Sequence, residues 1–152
     1  MDTATVSTTT TVTSTSTTTT APQGCVPPQH IQASYGVSVC PIPYNKKFQG
    51  TGLRENPSNV DASSVPDTTY FPGTYDACQA VQACMDFIYN VPNNDFSFDV
   101  HYLIGTQRWE CIGYFTGFDQ GEAFNVVDSN VGAVYGYSYI SQPVTLPFPA
   151  CK

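Results

Sequence analysis

Residues 74–84 read TYDACQAVQAC and residues 96–104 read FSFDVHYLI, and the change of period between them decides the fold. In the first stretch Ala77, Cys78, Val81 and Cys84 or Met85 recur at i, i+3/i+4 and i+7, the spacing of one helix face. Thr74 suits the N-cap, and Asp76 falls in the first turn, where the helix dipole favours an anion. In the second stretch Phe96, Phe98, Val100, Tyr102 and Ile104 alternate with Ser97, Asp99 and His101. That alternation predicts an antiparallel strand with one apolar face and one wet face, with His101 on the solvent side. The runs MDFIYNV, DFSFDVHYLIG, WECIGYFTGF, AFNVVD and AVYGYSYIS, parted by turn signals, predict five strands. With the helix laid on the apolar side, the expectation is an α+β fold: a small disulfide-stapled antiparallel sheet of about five strands with one helix packed on it.

Upstream of the helix the reading changes. Prolines at 22, 27, 28, 41, 43, 57, 66 and 72 break any helix and leave room for one short strand near Ile31 to Cys40. Residues 41–73 are therefore expected to form an irregular Pro-rich arm within a domain spanning 22–152. Lys46, Lys47 and Arg54, three of the five bases, give this arm a positive spot, read as a solvated loop. The first twenty residues hold 12 Thr and 3 Ser with no helical period, so residues 1–21 are expected to be a disordered tail carrying O-linked sugar. They lack the basic start and apolar stretch of a signal peptide, so a leader is expected to have been removed.

Twelve acids against five bases give a formal charge of −7, which without a basic stripe argues against a nucleic-acid partner. Charged residues are only 11 % of the chain, so the surface must be built from Ser, Thr, Asn, Gln, Gly and Tyr, as is common in secreted proteins. No run approaches the roughly 18 apolar residues of a membrane span. The six cysteines, Cys25, Cys40, Cys78, Cys84, Cys111 and Cys151, then read as three disulfides. A zinc site lacks a C-x2-C pair, and His30 and His101 are the only histidines. In one unbroken helix Cys78 and Cys84 would lie about 9 Å apart along the axis and face different ways, too far to bond. Either the helix stops near Gln82 and the two pair across a turn, or each reaches elsewhere.

The string DACQAVQACMDFIYN, followed by a turn-rich interval and WECIGYF, resembles the PAN/apple modules, in which a cysteine-bearing helix leads through C-x5-C into an apolar strand. The Thr-rich leader and NVGAVYGYSYI are similar to PAN-like segments of secreted or cell-wall fungal proteins. The resemblance covers about residues 74–140, and Thr74 stands where the family usually has a further helical cysteine. It implies bridges Cys78–Cys84, Cys25–Cys151 and Cys40–Cys111, and a binding role rather than catalysis.

Chemistry-bearing motifs are sparse. Glu110, Asp119, Glu122 and Asp128 are carboxylates of the kind that cleave glycosidic bonds in pairs, but acids in DQG and DSN more often form turns. Neither histidine accompanies a G-x-S-x-G elbow, and no phosphate loop or dinucleotide fingerprint occurs, so no cofactor is expected. Asp119, Glu122, Asp128 and Asn130 do not follow the order of a known calcium loop.

The aromatic content, 13 %, is more informative. Tyr135, Tyr137 and Tyr139 share one strand face, either as core or as a row that stacks on sugar rings or meets a protein partner. Trp109, the only tryptophan, is either a core anchor or the centre of a binding patch. Trp109, Tyr135, Tyr137 and Tyr139 are thus the candidate binding residues. The expected function is an extracellular recognition module binding cell-wall glycan or extracellular protein at a fungal surface. The alternatives are a self-assembling structural surface glycoprotein and, third, a small secreted glycoside hydrolase.

Overall fold

The computed structural model describes residues 21–22, 24–32, 43–56, 67–90, 97–115 and 123–139. They form one helix packed on a six-stranded antiparallel sheet, with a two-stranded ribbon on the sheet's other face. The strands are β1 (His30–Gln32), β2 (Pro43–Thr51), β3 (Leu53–Arg54), β4 (Asp67–Pro72), β5 (Ser97–Leu103), β6 (Arg108–Tyr114), β7 (Val126–Val127) and β8 (Val131–Tyr139), and the helix α1 is Ala77–Asn90. The sheet order is β1-β2-β8-β5-β6-β4, and β3 pairs with β7 in the ribbon. The α+β expectation holds. The Thr/Ser-rich tail through Thr20 lies outside the described residues.

The helix starts one residue after Asp76. The Asp76 carboxylate accepts from the Gln79 amide at 2.9 Å while the Asp76 amide donates to the Gln79 side chain at 3.0 Å. This is a capping box, so Asp76 and not Thr74 closes the end. Ala77, Ala80, Val81, Cys84, Met85 and Ile88 form its buried stripe, facing Phe98, Val100, Tyr102, Trp109 and Cys111 of the sheet. The run MDFIYNV, expected as a strand, continues the helix to Asn90 because Met85 and Ile88 extend that stripe. Gly73 sets the approach: a Cβ there would run into the Gln107 carbonyl, so only glycine lets the turn before the helix lie on the β5–β6 turn.

Two expectations about the first half are corrected. The arm at 41–73 is not irregular in its described parts, since β2, β3 and β4 come from it, and only β1 falls where a short strand was expected. The prolines do not forbid this, because Pro43 opens β2 and Pro72 ends β4, the positions where a missing N–H costs least.

The second face is not wet. Ser97, Asp99 and His101 are all buried, because a second cluster of Tyr114, Ala123, Phe124, Val131 and Val134, with Phe48, Leu103 and Ile112, covers that side. Phe48 stacks on Phe124 at 4.4 Å and lies over Gly50, where a Cβ would sit 2.6 Å from the ring. A bulge in β8 puts Val131 opposite Leu103 and Val134 opposite His101, so both valines join this cluster.

The disulfides also differ from the pairing the resemblance implied. Cys25 bonds Cys78 and Cys84 bonds Cys111; Cys40 and Cys151 lie outside the described residues. Cys78 and Cys84 sit in one unbroken helix, so each must reach elsewhere. Cys84 and Cys111 bury their bridge between helix and sheet, whereas Cys25 is exposed.

The bridges close loops of 27 and 53 residues, worth about 3.5 and 4 kcal/mol by chain entropy. Peptide mapping of unreduced protein should recover Cys25–Cys78 and Cys84–Cys111. Graded reduction should open the first while the second persists until the fold is lost. C84A/C111A should lower unfolding free energy by about 3–4 kcal/mol in denaturant titrations.

Candidate functional site

Two places gather the chemistry-bearing residues, one on each face of the sheet. On the ribbon face His101 sits beside its cross-strand partner Glu110 and two residues from Asp99 on its own strand, all three pointing the same way. Nδ1 meets Asp99 Oδ1 at 2.9 Å and Nε2 meets Glu110 Oε2 at 2.8 Å, with His101 0 % exposed. With the imidazole charged, as its raised pKa of about 9 makes it at neutral pH, both ring nitrogens donate, one to each carboxylate. The outer carboxylate oxygens are also taken: Tyr114 donates to Asp99 Oδ2 at 3.0 Å and Tyr70 to Glu110 Oε1 at 2.8 Å. Arg54 of the ribbon lies 3.6 Å from Glu110 and 3.5 Å from Asp128.

Burial alone would push the His101 imidazole down, but the charge and hydrogen bond of Asp99, joined by Glu110, hold it up at about 9. The hydrogen bond from His101 draws Glu110 below the usual carboxylate range against its desolvation, with Tyr70 and Arg54 adding to the effect. Glu55, next to Arg54, goes the other way. It is 6 % exposed, its Oε2 has no hydrogen-bond partner among the described residues, and burial raises it to about 7 despite a hydrogen bond with Tyr114. With both ring nitrogens committed, His101 has no lone pair with which to take a proton, and the cluster acts as a clamp across β4, β5, β6 and the ribbon.

The remaining sequence candidates disperse. Asp128 accepts from the Asn130 amide at 2.8 Å, the turn role expected of it. Asp119 and Glu122 lie outside the described residues. Two members of the positive spot are engaged: Lys46 Nζ donates to the Pro27 carbonyl and the Gln49 side chain, and Arg54 serves the acid cluster.

On the helix face a groove of about 540 Å³ runs between segment 21–26 and the sheet. Ala21, Pro22, Gly24, Cys25 and Val26 form one wall, and Gln49, Thr51, Gly132, Ala133 and Tyr135 come from β2 and β8. Ala77, Ile104 and Trp109 complete it. Three contacts hold the wall: the Cys25–Cys78 bridge, Lys46 Nζ to the Pro27 carbonyl at 2.8 Å, and Tyr137 Oη to the Pro28 carbonyl at 2.7 Å.

Of the four candidate binding residues, the fold brings two to this groove. Trp109 and Tyr135 lie 6.4 Å apart by ring centroid and both line it, though Trp109 is 0 % and Tyr135 8 % exposed. Trp109 is fixed from behind by its indole N–H to the Tyr75 carbonyl at 3.0 Å. Tyr137 is corrected to a core residue, stacked on Phe98 at 5.3 Å with no exposed surface. Tyr139, 37 % exposed, sits apart against Tyr44. The tyrosine row thus does not form one exposed platform, because the helix and segment 21–32 cover that face. The His101 cluster and the wall at 21–26 were missed from sequence. The first signal was available, since Asp99, His101 and Glu110 fall on one face once the two strands are paired. Comparison with protein-family models, with curated proteins and with solved structures finds no match for this chain.

The linkage between charge and folding gives a test. A group raised when folded, such as His101, contributes stability fully below its ordinary value of 6.5 and loses it as pH rises through about 9. Glu55, raised from 4.5 to about 7, costs stability progressively over that interval. Glu110, held low, protects the fold above the ordinary carboxylate range and loses that effect in acid. Urea midpoints should therefore peak between about pH 4.5 and 6.5 and decline toward pH 9. The His101 ring resonances should titrate near pH 9, and sooner in Glu110→Gln. His101→Phe should cost about 3–5 kcal/mol by leaving buried carboxylates unpaired.

Proposed function

We propose that this chain is an extracellular, non-catalytic recognition module that holds its ligand in the groove between segment 21–26 and the sheet. The observation that carries this reading is the groove itself: about 540 Å³ lies within the range of ligand sites, and a disulfide and two hydrogen bonds to the backbone hold its outer wall in place. Two disulfides from the helix, one to Cys25 and one to Cys111 of the sheet, support an oxidising compartment. The resemblance to PAN/apple modules supports binding over turnover, and a Thr/Ser-rich leader suits presentation at a fungal cell surface. Composition by itself points to glycan or extracellular protein, but the lining of the groove, with no ionisable side chain of Asp, Glu, Lys, Arg or His among the described residues, bears on the ligand class separately.

A second reading, self-assembly, draws on β4, the last strand of the sheet, whose Tyr70 is exposed beside Arg108 at 3.9 Å. Sedimentation across a hundredfold concentration range separates the two, with a constant monomer expected for the recognition module.

Trp109, the sole tryptophan, lines the groove and reports on it. A fluorescence screen of glycans, peptides and neutral organic compounds should find a saturable binder. Its binding should be lost in Thr51→Trp, a rim substitution at an exposed site, and in Ala133→Trp, with melting temperatures near wild type for the rim variant. Binding that survives both variants but is lost in Tyr139→Ala would move the site away from the groove.

A further inference from the structure

The groove's lining is chemically one-sided. Among the described residues that line it, none is Asp, Glu, Lys, Arg or His, in a chain whose formal charge is −7. Of the ionic groups beside the lining, Lys46 Nζ is committed to the Pro27 carbonyl and Gln49 and Asp76 Oδ1 to the helix cap at Gln79, while Asp76 Oδ2 lies next to Gly24 at the outer wall. An ion entering past the rim would give up hydration with no side chain of opposite charge in the lining to replace it.

The polar groups are also unevenly placed. Gln49 and Thr51 are exposed at the rim, whereas the inner lining is Ala77, Ile104, Trp109, Gly132, Ala133 and Tyr135. A sugar ring presents hydroxyls around its edge and needs either paired polar side chains for them or an open aromatic face to stack on. Here Trp109 shows no surface to water, Tyr135 shows 8 %, and the inner lining otherwise has no polar side chain among the described residues. What the surface complements is an apolar body with a single polar end, the body inside and the end at Gln49 and Thr51.

Resting on the reading of the groove as the ligand site, we propose that its ligand is an uncharged, chiefly apolar small molecule carrying one hydrogen-bonding end. It enters with its apolar part against Ala133, Ile104 and the edge of Tyr135, and leaves its polar end at the Gln49–Thr51 rim.

The test uses the oxidised full chain in 0.5 M salt, where long-range charge is screened to a few ångströms. The probes are N-phenyl-1-naphthylamine, its sulfonate 8-anilinonaphthalene-1-sulfonate, a naphthylamine bearing a quaternary ammonium, and a neutral hexasaccharide. The neutral amine should bind one-to-one in the micromolar range and perturb Trp109 emission. Both charged analogues should bind at least tenfold more weakly, and the hexasaccharide should not compete. Thr51→Trp should weaken the neutral probe at least tenfold while circular dichroism stays unchanged. A charged analogue that binds as tightly as the neutral one overturns the inference, as does a wild-type chain that binds no probe. A hexasaccharide that binds and is blocked by Thr51→Trp overturns the apolar assignment while leaving the groove as the recognition site. Probe binding indifferent to both Thr51→Trp and Ala133→Trp overturns the inference and the groove reading together.

Discussion

A protonated imidazole with a carboxylate on each ring nitrogen is the constraint around which the ribbon face is arranged. Two buried acids beside each other repel, and His101 placed between Asp99 and Glu110 converts that repulsion into two charge-assisted hydrogen bonds. The arrangement is tolerable only because the outer oxygens are also satisfied, by Tyr114 on one side and Tyr70 on the other. Removing any one member strands a buried charge, so the cluster enforces one register among β4, β5 and β6 more strictly than apolar packing alone. Arg54 extends the same requirement to the ribbon, which must lie where its guanidinium reaches Glu110 and Asp128.

The helix face obeys a different rule. It is held by covalent bridges and aromatic packing, with Cys84–Cys111 joining helix to sheet inside a shell of Met85, Val100 and Trp109. A net contribution of about 3–4 kcal/mol from one bridge is a large share of a typical stability of roughly 5–15 kcal/mol. The chain, with its few charges, thus divides its cohesion: ionic and hydrogen-bonded on the ribbon side, covalent and apolar on the helix side.

How much of this the sequence disclosed depends on the range of the interaction. The helix stripe from Ala77 through Cys84 was legible because its signal repeats within a few residues, and so was the alternation from Ser97 to Leu103. Which face of that strand was wet was not legible. The cover over that face is assembled from Phe48, Arg54, Glu55 and Phe124, which stand 53, 47 and 46 residues before His101 and 23 after it and include a strand as short as Leu53–Arg54, which leaves no period to read. Prolines misled for a related reason: Pro43 and Pro72 look like breakers in isolation, and only the finished sheet shows that they stand at strand ends. The disulfides needed the helix length first. Once MDFIYNV is seen to continue the helix, Cys78 and Cys84 cannot meet, and Cys84, on the buried stripe, has to face the sheet strand that carries Cys111. Of the aromatic candidates, Trp109 and Tyr135 were picked by type and phase, but their shared cavity depends on a segment more than 80 residues upstream.

The position of the groove follows from these two kinds of cohesion. A helix of 14 residues covers β4, β5 and β6 and leaves the helix-side face of β8 and β2 bare, an apolar strip including Tyr44, Ala133, Tyr135 and Tyr137. Residues 21–22 and 24–32, with only His30–Gln32 in a strand, complete the cover as a wrap. Such a wrap lacks the stiffness of a helix, so it must be pinned at points, here at Cys25, Pro27 and Pro28. Over Tyr137 the pins bring the wrap down onto the sheet. Near Ala133 and Gly132, where small residues present no ridge to fill the space, the wrap stands away and the cavity results. The groove is therefore the gap left where a pinned strand of chain spans a shallow part of an apolar surface, and a ligand there completes the burial that the helix is too short to provide.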